Sequence, residues 1–133
     1  MESKTKKLEQ ILKNDRFAFH NDIRLISIGN GEAIAELTVS EKHLNGVDII
    51  HGGAIFALAD FAFAAASNSH GRIAVAADAN IKFFKGVSSG KLIAKAKELN
   101  SGKTLSSYTV DIADDNDIKI AFFSGTAFMK GEY

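Results

Sequence analysis

From Ala54 to Ala66 the chain reads AIFALADFAFAAA, a run in which every residue is apolar except Asp60. Ala, Leu and Phe dominate it and Ile55 is its one β-branched residue, so intrinsic propensity favours a helix. A helix that is apolar all round has no solvent face and has to be buried. The run is too short for a bilayer, which needs roughly 20 apolar residues, and it has a carboxylate at its middle. Ser67, Asn68, Ser69, His70 and Gly71 end it with residues that favour turns and C-caps.

The surrounding sequence supplies strands to wrap that helix. Ile23 and Leu25 alternate with Arg24, Asn30-Gly31 follows, and then Ala33 to Val39. An Asn-Gly pair between two such runs is a strong hairpin signal, since both residues tolerate positive φ, and it predicts strands near 22–29 and 32–40. Glu41 to Ile50 read as a loop. After the helix come four more strand-like runs, Ile73–Phe84, Lys91–Leu99, Thr104–Ala113 and Ile118–Lys130. Their separators are Gly86–Gly90, Asn100-Ser101-Gly102 and Asp114–Asp117, all turn-forming. Short separators predict an antiparallel meander. With no proline, turn-making falls to the 11 glycines and to Asn, Asp and Ser. At the N-terminus, Ser3 to Asn14 read as a polar helix with Leu8, Ile11 and Leu12 on one side, a docked or frayed extension. The expected fold is α+β: a curved antiparallel sheet of about six strands wrapped around one apolar helix, with a short N-terminal helix. The helix sides left uncovered call for a partner subunit.

At 133 residues the chain holds one core. The absence of cysteine excludes disulfides, thiolate metal sites and a Cys nucleophile. Sixteen basic residues balance 16 acidic ones, so no field favours nucleic acid. Met1 to Gln10 are polar with no apolar segment behind them; no signal peptide or membrane span is expected, and the cytoplasm is the expected compartment.

A carboxylate in an apolar helix needs a reason, because burying its charge costs several kcal/mol or raises its pKa. One reason is structural: capping a neighbouring loop, or accepting backbone N–H bonds at an interface. The other is chemical: a dry, more basic carboxylate suits a general base or nucleophile. Gly52-Gly53, at the start of the same helix, offers unobstructed N–H groups at the positive end of the dipole; it is a turn, or a cradle for an oxyanion. Gly52 and Asp60 are eight residues apart, roughly 12 Å along one helix. If both act on one carbonyl, Asp60 has to come from a second copy across a two-fold axis, with sites shared between subunits.

The segment from Asn45-Gly46 through His51-Gly52-Gly53 to Leu58-Ala59-Asp60 closely resembles the signature of hotdog-fold acyl-CoA thioesterases of the phenylacetic acid degradation (PaaI-type) family. Similar residues continue through Phe61–Ser69, Asn80-Ile81, Phe83-Phe84, Gly90, Gly102-Lys103, Tyr108-Thr109-Val110 and Gly125-Thr126, so the resemblance covers the chain from about residue 20. It implies a hotdog domain over 20–133, with 1–19 as a helical extension, pairing as a dimer with a continuous sheet and as a dimer of dimers. It makes Asp60 the base or nucleophile at a thioester carbon, Gly52 the N–H that polarises its carbonyl, and Asn45 the residue that orients the water or the carbonyl. His51 and Gly53 flank that loop, His51 as a hydrogen-bonding organiser or a base. Asn80, Phe61 and Phe83 fall where substrate would bind, the aromatics as acyl-pocket lining or as core. Lys82, Lys85 and Lys103 are candidates for the CoA phosphates, or simply solvated lysines. CoA thioester is substrate, and neither metal nor cofactor is expected.

Departures from the family pattern are Gly86, where proline is frequent, Ala64, where some relatives place a hydroxyl, and Ala76, where some have serine. Two other classes share the fold: non-catalytic acyl-CoA-binding proteins and enoyl-CoA hydratases, the latter with an Asp/His loop motif not found in this sequence.

Overall fold

The computed structural model describes residues 4–132, and side chains from residue 6 onward. Helices α1 (Lys4–Lys13) and α2 (Arg16–His20) lead into strands β1 (Ile23–Gly29) and β2 (Glu32–Thr38). A short 3₁₀ turn, Glu41–His43, precedes the long helix α3 (Gly52–Asn68), and β3 (Arg72–Phe83), β4 (Lys91–Asn100), β5 (Leu105–Asp114) and β6 (Lys119–Glu132) complete the chain. All strands are antiparallel in one sheet of order β1-β2-β4-β5-β6-β3, so β1 and β3 are its edges.

The Asn30-Gly31 hairpin forms as its residues dictate: both have positive φ, 55° and 78°, and Gly29 pairs with Glu32 across the two-residue turn. The last four runs do not form a continuous meander. β4, β5 and β6 are sequential neighbours, but β3 pairs with β6 at the far edge. A short separator dictates antiparallel direction without dictating the neighbour. From β3 to β4 the chain crosses three strand spacings, roughly 14 Å, which seven residues reach with ease. That crossover is tied to the loop before α3: Ile50 N–H donates to the Val87 carbonyl at 2.8 Å and the Ser88 hydroxyl to the Asp48 carbonyl at 2.6 Å.

α3 lies on one face of the sheet, with Leu58, Ala59, Ala62, Ala65 and Ala66 fully buried. Its rings mesh with the strands: Phe63 meets Tyr108 edge-on and lies tilted against Phe123, and Phe56 meets Phe123 edge-on. The helix is not buried all round. Gly53, Ala57, Asp60 and Ala64, at intervals of four, three and four, form a stripe that this one chain leaves partly open. The N-terminal extension is docked, with Leu8 and Leu12 in the core, whereas Ile11 turns outward; Ser3 lies outside the described residues. The extension also contains a second helix, α2, that was not expected. Asp15 caps it by accepting the Ala18 N–H at 3.0 Å.

Candidate active site

α3 begins where a histidine ends the preceding loop. His51 is its N-cap, and His51 Nδ1 accepts the Gly53 N–H at 2.8 Å. The Ala54 N–H donates to the His51 carbonyl, which leaves the Gly52 N–H with no partner among the described residues. A side chain at Gly52 would bring its Cβ to 3.2 Å from Phe83 Cζ, so that ring stands over the helix end. An exposed aromatic from β3 thus lies beside the residue that carries the free amide.

The loop leading there is rigidly tied. His43, which is buried, accepts the Ser40 N–H at Nδ1 (2.9 Å), which puts its proton on Nε2, facing the Asn21 carbonyl at 2.8 Å. Its own carbonyl accepts the His51 N–H at 2.7 Å. Asn45 Oδ1 accepts the N–H groups of Val47 and Ile49 at 3.0 and 3.2 Å, and its backbone N–H donates to the Ile49 carbonyl. The Asn45 oxygen is thus spent on the loop, and only its amide Nδ2 remains to meet a carbonyl or a water.

Two turns along α3 from Gly53, Asp60 sits in a cleft of about 330 Å³ with Asp15, Phe17, Ala18, Ile23, Phe56 and Phe61 among its walls. Its carboxylate makes no hydrogen bond or ion pair among the described residues. Burial pushes its pKa above the ordinary carboxylate value, and the negative charge of Asp15 adds to that rise. The structural reading of Asp60, as a cap for a neighbouring loop, finds no bond to support it. Asp60 is thus, within one chain, an unpaired and partly desolvated carboxylate on the open stripe of an apolar helix, chemistry suited to taking a proton or attacking a carbon.

The other candidates fall in three places. Asn45, His51, Gly52, Gly53 and Phe83 gather at the N-terminus of α3, and Lys82 and Lys85 are exposed beside Phe83. Phe61 is almost fully buried and lines the Asp60 cleft, whereas Asn80 is exposed on β3 opposite Ser124. Lys103 lies apart: its carbonyl is held by Arg72 at the opposite end of β3, and Lys82 is ten steps along the strand from Arg72, roughly 33 Å. Gly86, where proline is frequent in the resembling family, has no room for a Cβ, which would come within 2.8 Å of Ile49 Cγ2. Asp15 and Phe17 are cleft residues that reading the sequence missed. An Asp directly before Arg-Phe-Ala-Phe is an N-cap signature that could have disclosed α2. Among the described residues no three His, Cys, Asp or Glu side chains are grouped to hold a metal, and no helix is long and apolar enough to cross a membrane.

Residues 48–121 match the family model of the thioesterase superfamily. The acyl-coenzyme A thioesterase PaaI of Escherichia coli K12 is 37% identical over 90% of this chain and 86% of its own length. The solved structure of the E. coli PaaI protein, from the phenylacetic acid degradation operon, superimposes with a TM-score of 0.92 at 34% identity, covering 97% of this chain and 95% of that one. A Streptococcus mutans protein, smu.793, solved bound to acetyl CoA, is 26% identical with a TM-score of 0.79, covering 83% of this chain and 90% of that one.

Proposed function

The chain belongs to the thioesterase superfamily, in its PaaI-like branch, and from that premise we propose that it hydrolyses acyl-CoA thioesters to free acid and CoA. The observation that carries the reading is the pair of unpaired groups on α3: a free Gly52 N–H at the helix N-terminus and a free Asp60 carboxylate on the open stripe. The N–H, reinforced by the helix dipole, receives the thioester oxygen as negative charge develops on it. Either Asp60 takes a proton from the attacking water and returns it to the sulfur as the C–S bond breaks, or it attacks the carbon itself, the thiolate leaves, and water then cleaves the acyl–Asp60 anhydride to the free acid, its proton going to the thiolate. Asn45 contributes its Nδ2 as a donor to the same oxygen or to the water.

The two groups are roughly 12 Å apart along the axis, so they serve one carbonyl only when two α3 helices lie antiparallel. The open stripe and the unpaired β3 edge, where Ile73, Val75 and Phe83 are exposed, are the surfaces on which a second copy would pack. Antiparallel pairing of two β3 edges also brings the Lys103 end of one copy towards the Lys82 and Lys85 end of the other. Those lysines then serve as point charges for CoA phosphates. The aromatic walls at Phe17, Phe56 and Phe61 favour an acyl group with an apolar or aryl body, such as phenylacetyl or hydroxyphenylacetyl.

The test is a panel of phenylacetyl-, hydroxybenzoyl- and straight-chain acyl-CoA esters, assayed for released thiol. Asp60→Asn should lower kcat by about 10²-fold or more while circular dichroism and oligomeric state stay unchanged. An Asp60→Asn enzyme as fast as wild type would refute the assignment. Mixing Asp60→Ala subunits with Asn45→Ala subunits should restore part of the activity that each homo-oligomer lacks; no recovery would place each site within one chain.

A further inference from the structure

We propose that Asp15 is a second carboxylate of the hydrolytic site, a positioning residue that acts on Asp60 through its charge from the wall of the cleft. The inference rests on Asp60 being the reactive carboxylate, and three observations support it. Asp15 and Asp60 line the same cleft, and among the described residues they are the only ionisable side chains in its walls. Asp15 is held there by its own capping bond, Oδ1 accepting the Ala18 N–H at 3.0 Å, while α2 packs on α3 and β1. No ion pair among the described residues neutralises either carboxylate, and the Asp15 charge opposes ionisation of Asp60.

The other charged groups of the neighbourhood do not line the cleft. Glu9 and Lys13 on α1 and Arg24 on β1 border an adjoining groove that shares Asp15, Ala18, Ile23 and Phe61 with the cleft. On α2, Arg16 and His20 are exposed and line neither space. At the far end of the open stripe His51 is engaged with Gly53. Asp15 is thus the group best placed to set how readily Asp60 holds a proton. Being exposed itself, it does so through a field that salt weakens.

The capping role and the charge role separate cleanly, because asparagine caps a helix as well as aspartate does. Asp15→Asn should leave the melting temperature nearly unchanged and move the acid limb of the kcat profile to lower pH. Asp15→Glu should keep that limb in place. Raising NaCl should move the wild-type limb in the same direction and the Asp15→Asn limb much less. An acid limb that stays put in Asp15→Asn overturns the proposal. Carboxyl-carbon NMR titration of Asp60 in both proteins gives a readout independent of turnover. If Asp60→Asn proves fully active while the Asp60 titration still responds to Asp15, the catalytic reading fails and the electrostatic coupling stands; if the titration does not respond, the coupling itself is refuted.

Discussion

His51 Nδ1 accepts the Gly53 N–H at 2.8 Å, and this one bond decides which amide at the start of α3 is free. Without it both glycine N–H groups would compete for the same incoming oxygen or for water. His51→Ala should cost about 1 kcal/mol, the usual loss of an N-cap, lowering the melting temperature by a few degrees. It should also reduce hydrolysis, because the loop that presents Gly52 loses its anchor. His51→Asn, which can cap in the same way, should recover most of both. An active, equally stable His51→Ala protein would show that the cap does not organise the site.

The two glycines should respond differently to the same added methyl. At Gly53 a Cβ would come within 2.9 Å of His51 Nδ1, so Gly53→Ala breaks the cap. At Gly52 it would meet the Phe83 ring, nearest at Cζ (3.2 Å), and Phe83 is exposed enough to move aside. Both variants keep their backbone N–H. Gly52→Ala should therefore fold normally and lose less activity than Gly53→Ala, and Phe83→Ala should relieve whatever loss Gly52→Ala shows. Melting curves and kcat for the three variants check the order.

Asp60 should make the protein less stable at neutral pH than an uncharged isostere would. Its native pKa is raised by burial, so the native state holds the proton more tightly than the unfolded chain. Stability therefore falls as pH rises from the ordinary aspartate value of 3.8 through the higher native value, and stays lower above it. Asp60→Asn does not titrate. Its melting temperature should exceed that of the wild type at pH 7, and the difference should vanish as pH falls below 3.8. A variant less stable than wild type at pH 7 would mean that the carboxylate is paired in solution.

Much of this architecture is legible in the sequence because it is local. The apolar run around Asp60 specifies a buried helix, and Asn30-Gly31 specifies a two-residue turn because both residues accept positive φ. Asp114 likewise closes its turn by accepting the N–H groups of Asn116 and Ile118 at 2.9 Å each. The position of β3 is not local. Its pairing with β6 depends on how the sheet closes over α3, and a seven-residue connector serves a hairpin or a crossover equally well. The site divides in the same way. Asp60, Gly52 and His51 belong to one contiguous segment and are legible together as candidates, whereas Asp15 reaches the cleft only through the docking of α2. Asn45 was legible as a site residue, but the use of its oxygen within the loop was not.

At the opposite end of α3 the fold is held by a buried phenol. Tyr108 donates to Glu98 Oε2 at 2.8 Å, the same oxygen sits 2.7 Å from His70 Nε2, and Gly31 packs against the Glu98 side chain. Glu98→Ala leaves the fully buried Tyr108 hydroxyl without its acceptor, which should cost about 1–3 kcal/mol. Tyr108→Phe removes the donor but leaves Glu98 facing His70, so it should cost less, about 1 kcal/mol. Burial first, and the Glu98 bond second, push the Tyr108 pKa above its ordinary value of 10.0. The native state then keeps a proton that the unfolded chain releases, and this contribution is present below pH 10.0 and lost as pH rises beyond it. The stability advantage of wild type over Tyr108→Phe should accordingly shrink above pH 10.0. Urea melts of the two proteins between pH 7 and 11 test this, and an advantage that stayed constant would mean that Tyr108 ionises as freely in the native state as in the unfolded chain.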